Sequence, residues 1–117
     1  MNFGGGAKGA FANLEKHKGK TPRINGEFWV GWFDHWGKPK NGGSTEGFNR
    51  DLKWMLENNV SPNLFMVHGG TSFGFMNGAN WEGAYTPDVT NYDYGAPISE
   101  NGTLTDRYRT FRQTIQD

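Results

Sequence analysis

Apolar residues recur at helical spacing over residues 7–16, where Ala10, Phe11 and Leu14 share one face, and this predicts a short first helix. A basic, polar turn follows and ends at Pro22, which a helix does not carry in its interior. Residues 23–30 switch to a period of two and predict a strand. Ile24, Phe28 and Val30 fall on one of its faces, with Asn25, Glu27 and Trp29 on the other. After a turn punctuated by Gly37, Pro39, Gly42 and Gly43, Ser44 or Thr45 can cap a second helix over 45–58. Its buried stripe reads Phe48, Leu52, Met55 and Leu56, with Trp54 off the stripe and Asn58 and Asn59 as stop residues. Residues 62–68 are apolar on both faces, as expected of a parallel strand covered on both sides. Residues 69–103 carry neither period and are dense in Gly, Asn and aromatics, which predicts a functional loop. Residues 105–116 close the chain as a helix, with Leu104, Tyr108, Phe111 and Ile115 on one side.

Helices alternating with strands imply parallel strands, crossover helices and an α/β fold. Two strands cannot form a sheet buried on both faces, so the pattern describes less than a complete fold. Composition agrees: Leu, Ile, Val and Phe supply 21 of 117 residues, few for an independent core, while 18 Gly and 18 aromatic residues suggest a loop-rich, aromatic-lined surface. Twelve basic residues balance twelve acidic ones without a long run of either sign, so the footprint of a nucleic-acid partner is missing. No apolar stretch reaches membrane-spanning length, and the absence of Cys excludes disulfides and thiolate metal sites.

Glu27 is the first candidate for chemistry, because it sits among aromatics where a strand gives way to a glycine-bearing loop. A carboxylate on the C-terminal rim of an α/β barrel, flanked by Trp29 and Trp32, suits glycoside cleavage: it can attack an oxocarbenium-like centre while an aromatic ring stacks on the sugar. An ordinary Glu, with a pKa near ~4.3, is ionised and nucleophilic at neutral pH. A structural ion pair with Arg23 or another cation is the bland alternative. His17, His35 and His68 lack metal-ligand spacing, so neither a metal nor another cofactor is expected. His68 more often bonds a neighbouring loop than a substrate, and Asp34 suits the tight turn after Trp32. The glycines at 4–6 and 42–43 lack the lysine and context of a phosphate loop.

The segments Asn25-Gly26-Glu27-Phe28-Trp29-Val30-Gly31-Trp32-Phe33-Asp34-His35-Trp36-Gly37, Asn63-Leu64-Phe65-Met66, Gly69-Gly70-Thr71-Ser72-Phe73-Gly74, Asn77-Gly78-Ala79-Asn80 and Tyr92-Asp93-Tyr94 resemble glycoside hydrolase family 35 β-galactosidases in order and spacing. The resemblance implies the last portion of a (β/α)8 TIM barrel, from about the sixth helix to the eighth helix and incomplete as a barrel. Residues 1–117 would then be one partial catalytic domain. It further implies retaining hydrolysis of terminal β-linked galactose from an oligosaccharide or glycoside. Glu27 would be the nucleophile at the end of the seventh strand, Tyr94 would hydrogen-bond galactose, and Trp32 would line the sugar pocket. Tyr92 would bind the sugar or support the loop that positions Tyr94. Phe65 stands where the family often has Tyr, and Gly95 where it often has an acid.

A retaining glycosidase needs a second carboxyl group about 5–5.5 Å from the first. In this family it belongs to an Asn-Glu pair on the fourth strand, and this chain contains no Asn-Glu dipeptide. Glu82, in the long aromatic loop, has no feature of an acid catalyst. The expectation is therefore a chain that holds half of a catalytic pair, is inactive alone and needs the N-terminal part of the barrel. Two other readings stay open. One is a non-catalytic carbohydrate-binding module that stacks sugars on Trp29, Trp32, Trp81 and Tyr94; the other is an inert remnant. An in-frame Asn-Glu strand encoded upstream of Met1 would favour the enzyme, and stop codons there the remnant.

Overall fold

The computed structural model describes residues 1–117. The elements run β1 (Asn2–Phe3), α1 (Ala7–Lys18), β2 (Glu27–Trp29), α2 (Thr45–Glu57), β3 (Leu64–Phe65), β4 (Ala79–Trp81), β5 (Tyr85–Pro87) and α3 (Asp106–Gln116). β1, β2 and β3 form a parallel sheet in sequence order, joined by the crossovers α1 and α2. This is the α/β organisation that the alternation predicts. No helix is long and apolar enough to cross a membrane.

Three strands replace the expected two. β1 lies in the glycine-rich start, and a two-residue ladder is too short to carry a periodic signal. β4 and β5 pair antiparallel inside the stretch read as patternless. Ala79, Asn80 and Trp81 are all exposed, so no alternation of apolar and polar positions marks them.

The strand predicted over 23–30 also changes form, for a reason that reaches the site. Ile24 bridges Ser61, and the next paired position is Phe28 with Leu64. Four residue steps on one segment thus face three on the other, which defines a bulge around Gly26 and Glu27. The extra residue inverts the alternation. Ile24, expected beside Phe28 and Val30, is 56% exposed, whereas Asn25 is buried together with Phe28 and Val30. Asn63 Nδ2 donates to the Gly26 carbonyl at 2.7 Å and fills the gap that the bulge leaves.

The core joins the helices to one face of the sheet: Phe3, Phe28 and Val30 meet Ala7, Phe11, Leu52, Met55, Val60 and Phe111. Phe3 packs edge-on against both Phe11 and Phe28, at 5.8 and 5.9 Å between ring centres. Within α2, Leu52 and Met55 are buried as expected, but Leu56 is exposed. Trp54 replaces it, reaching Phe11 of α1 at 6.3 Å, because α2 is wedged between α1 and α3 and its apolar arc is turned toward both. Leu104 and Ile115 are likewise exposed, leaving Phe111 as the buried anchor of α3. Ser44 caps α2 by accepting from Gly47 N at 3.1 Å, and Asn59 leaves the helix in the left-handed conformation at φ 55°.

The start of α1 has no side-chain cap of its own, since Gly6 occupies that position. Asp51 of α2 supplies one from a distance, its carboxylate accepting from Gly6 N at 2.9 Å and from Ala7 N at 3.2 Å. A carboxylate there meets two otherwise free N–H groups and the positive end of the helix dipole. Asp51→Ala should weaken the docking of α1 by about 1 kcal/mol. Amide exchange across residues 6–10 should accelerate about fivefold in consequence, measured by mass spectrometry; unchanged protection there would dismiss this cap.

Candidate active site

Parallel pairing brings the ends of β2 and β3 out on one side, and each is followed by a glycine. Gly31 and Gly69 allow residues 92–95 to lie across both exits. A Cβ on Gly31 would stand 1.8 Å from the Tyr94 carbonyl oxygen, and one on Gly69 1.4 Å from that of Tyr92. No side chain fits either gap, so both glycines are required by contact.

Tyr94 and Gly95 have φ 60° and 65°, and Ala96 N returns to the Asp93 carbonyl at 2.8 Å. Positive φ at both central residues is the type I′ pattern, unusual for an aromatic residue. The turn drives the Tyr94 ring inward, where it is 2% exposed. Trp32 and Tyr92 lie 5.8 and 5.5 Å away, and Phe65 meets it edge-on at 5.6 Å. Phe33 continues the cluster by stacking on Tyr92 at 5.9 Å. The polar side-chain atoms sealed from solvent without a partner do not include the Tyr94 hydroxyl. The ring is wedged among Trp32, Tyr92 and Phe65.

Glu27 opens the ladder of β2 rather than closing it, at the bulge, and is half-buried. The Trp29 indole N–H donates to Glu27 Oε2 at 2.9 Å and fixes the carboxylate. Arg23, the partner in the bland reading, is bonded instead to Glu15 and the Asn58 carbonyl. Burial pushes the Tyr94 hydroxyl up to about 12, with smaller contributions from Tyr92 and the negative charge of Glu27. Tyr92 is raised as well, by burial first and then by Asp88 and Glu27. The four sequence-predicted residues therefore form one neighbourhood: Trp32, Tyr92 and Tyr94 by contact, and Glu27 through its field on both hydroxyls.

Other candidates fall elsewhere. Glu82 and Trp81 are exposed on the β4–β5 hairpin. His68 Nε2 reaches only the Glu100 carbonyl, at 3.5 Å, and Asp34 holds its turn by accepting from Asn41 N at 2.7 Å. His35, buried, faces Asp88 at 3.0 Å and Asn80 at 3.1 Å and so ties the hairpin to the loop after β2.

Sequence reasoning missed Arg107. It lies in the first turn of α3, buried, and its guanidinium N–H groups donate to the Val30, Gly95, Gly42 and Gly43 carbonyls and to Thr45 Oγ1. It also stands 5.1 Å over the Phe48 ring. Burial lowers its pKa, while Asp93 and Glu46 oppose the shift. One signal was legible: a cation in the first turn of a helix opposes the helix dipole and implies compensation from elsewhere.

The sequence model of Glycosyl hydrolases family 35 matches residues 1–117. The chain belongs to this family. Among curated family 35 relatives, the β-galactosidase of Xanthomonas manihotis is 44% identical over 120 residues, covering 98% of this chain and 20% of that protein. The human β-galactosidase is 43% identical over 118 residues, covering 99% of this chain and 17% of that protein. A mouse β-galactosidase-1-like protein is 39% identical over 105 residues, with 90% and 16% coverage. The chain thus spans a fifth or less of the length of these relatives.

The raised hydroxyl of Tyr94 has a consequence for stability. An unfolded tyrosine loses its proton near pH 10, whereas the folded one holds it to about 12. The folded state then binds more protons than the unfolded state across that interval, so stability falls as pH rises through it. Urea midpoints measured between pH 9 and 11.5 should fall less steeply in Tyr94→Phe than in the parent. Parallel slopes would mean that the hydroxyl is not held neutral by its surroundings.

Proposed function

We propose that this chain forms the end of a (β/α)8 barrel and supplies the nucleophile half of a retaining β-galactosidase site. Glu27 attacks the anomeric carbon of a terminal β-galactosyl residue as the bond to the aglycone oxygen breaks, that oxygen taking its proton from the acid/base carboxyl. Water then hydrolyses the glycosyl-enzyme ester to release galactose and free Glu27. The single observation that carries this reading is the Glu27 carboxylate held by the Trp29 indole N–H at 2.9 Å, with its charge felt at the hydroxyls of Tyr92 and Tyr94. The indole bond orients one carboxylate oxygen and leaves the other for attack. Tyr94 serves as a hydrogen-bond donor from a ring that Trp32 and Phe65 hold in place. Trp32, 46% exposed, presents ring surface to the sugar. Tyr92 braces Tyr94 by stacking on it.

The acid/base carboxyl and the remaining strands of the barrel come from sequence beyond these residues, so residues 1–117 alone are inactive. The names of the Xanthomonas and human relatives support a galactoside as substrate. Of the four platforms that a sugar-stacking module would use, Trp32 and Trp81 are exposed, whereas Tyr94 is buried and Trp29 is half-buried with its N–H committed to Glu27.

Glu27→Gln in the full-length protein should reduce turnover of an aryl β-galactoside by ~10⁴-fold or more and leave its melting temperature within a few degrees of the parent. A 2-deoxy-2-fluorogalactosyl donor should leave its sugar on the peptide that contains Glu27. Labelling of a different carboxylate, or substantial residual turnover, would refute the assignment.

A further inference from the structure

We infer that Arg107 is a positioning residue for galactoside binding, acting on Tyr94 through the Gly95 carbonyl. The inference rests on the sugar contact proposed for Tyr94. All five guanidinium N–H bonds end on uncharged acceptors, so the buried cation serves to hold backbone in place. Three pieces of the site meet there. The Val30 carbonyl fixes the exit of the strand that bears Glu27, and the Gly95 carbonyl fixes the turn that bears Tyr94. The Gly42 and Gly43 carbonyls, with Thr45 Oγ1, anchor both to the start of α2.

The turn needs such a clamp, because Tyr94 sits at positive φ and an unrestrained aromatic residue leaves that conformation. The glycine at 95 belongs to the same device. A Cβ there would stand 2.6 Å from Arg107 Nη1 and 3.3 Å from the Val30 carbonyl oxygen. A side chain at this position would push the guanidinium off the two carbonyls that it joins. Phe48 covers the guanidinium on one face, which keeps water from competing for the carbonyls.

The test is a coupling experiment on the full-length protein. Arg107→Met, Tyr94→Phe and the double variant are compared for KM and kcat on an aryl β-galactoside, with melting temperatures alongside. Each single change should raise KM about tenfold, and the double variant should resemble Tyr94→Phe alone, since the clamp acts through that residue. Thr45→Val, which removes one acceptor, should raise KM two- to threefold (approximately) and lose that effect in the Tyr94→Phe background. If Arg107→Met does not fold, this milder pair decides the matter by the same criterion. Multiplying effects in the double variant, with Tyr94→Phe impaired, would overturn the positioning role alone. A normal KM in Tyr94→Phe would remove the sugar contact and the inference with it.

Discussion

Five N–H groups on one buried guanidinium tie together parts of the chain as far as 77 residues apart. Arg107 is expensive to bury, and the cost is offset because every donor finds an oxygen and an aromatic ring covers one face. What it holds is mostly irregular backbone: the exit of β2, the Tyr94 turn and the approach to α2. Those segments have few ladder bonds of their own. Without a common hub, the helices and sheet would still pack through Phe3, Phe11, Phe28 and Phe111, but the loops that carry the aromatics would lose their shared reference.

The site is assembled from three devices that each act at short range. The bulge at Gly26 and Glu27 turns Ile24 out and Asn25 in, while Glu27 keeps the face of Trp29. Gly31 and Gly69 remove the side chains that would hold residues 92–95 away from the sheet. The turn at Tyr94 and Gly95 buries a ring against Trp32, Tyr92 and Phe65. Together they set the Glu27 carboxylate near two tyrosine hydroxyls whose pKa burial raises.

β1 and β3 form the two edges of a three-stranded parallel sheet. Parallel sheets are ordinarily covered on both faces and continued at their edges. Here the helices cover one face, and residues such as Phe73, Phe75, Met76 and Trp81 stand in solvent. This geometry accords with relatives five or more times as long as the chain, and it gives the shortage of aliphatic residues a physical meaning: the core seen here accounts for only part of the packing that such a sheet demands.

The sequence by itself determined the three helices and the parallel α/β order, and it singled out Glu27, Trp32, Tyr92 and Tyr94. Those features rest on local chemistry: helical periodicity, capping by Ser44 and Thr105, and a motif whose members lie in recognisable runs. Strand lengths, the bulge, the exposure of Ile24 and Leu56, and the β4–β5 hairpin escaped it. Each depends on which residue faces which across a ladder or a helix interface, and no local pattern encodes that pairing. Arg107 is the clearest case. In the sequence it is one charge among the polar positions of a closing helix, and only the tertiary structure turns it into a hub, because its carbonyl partners carry no side-chain signature and come from two separate loops.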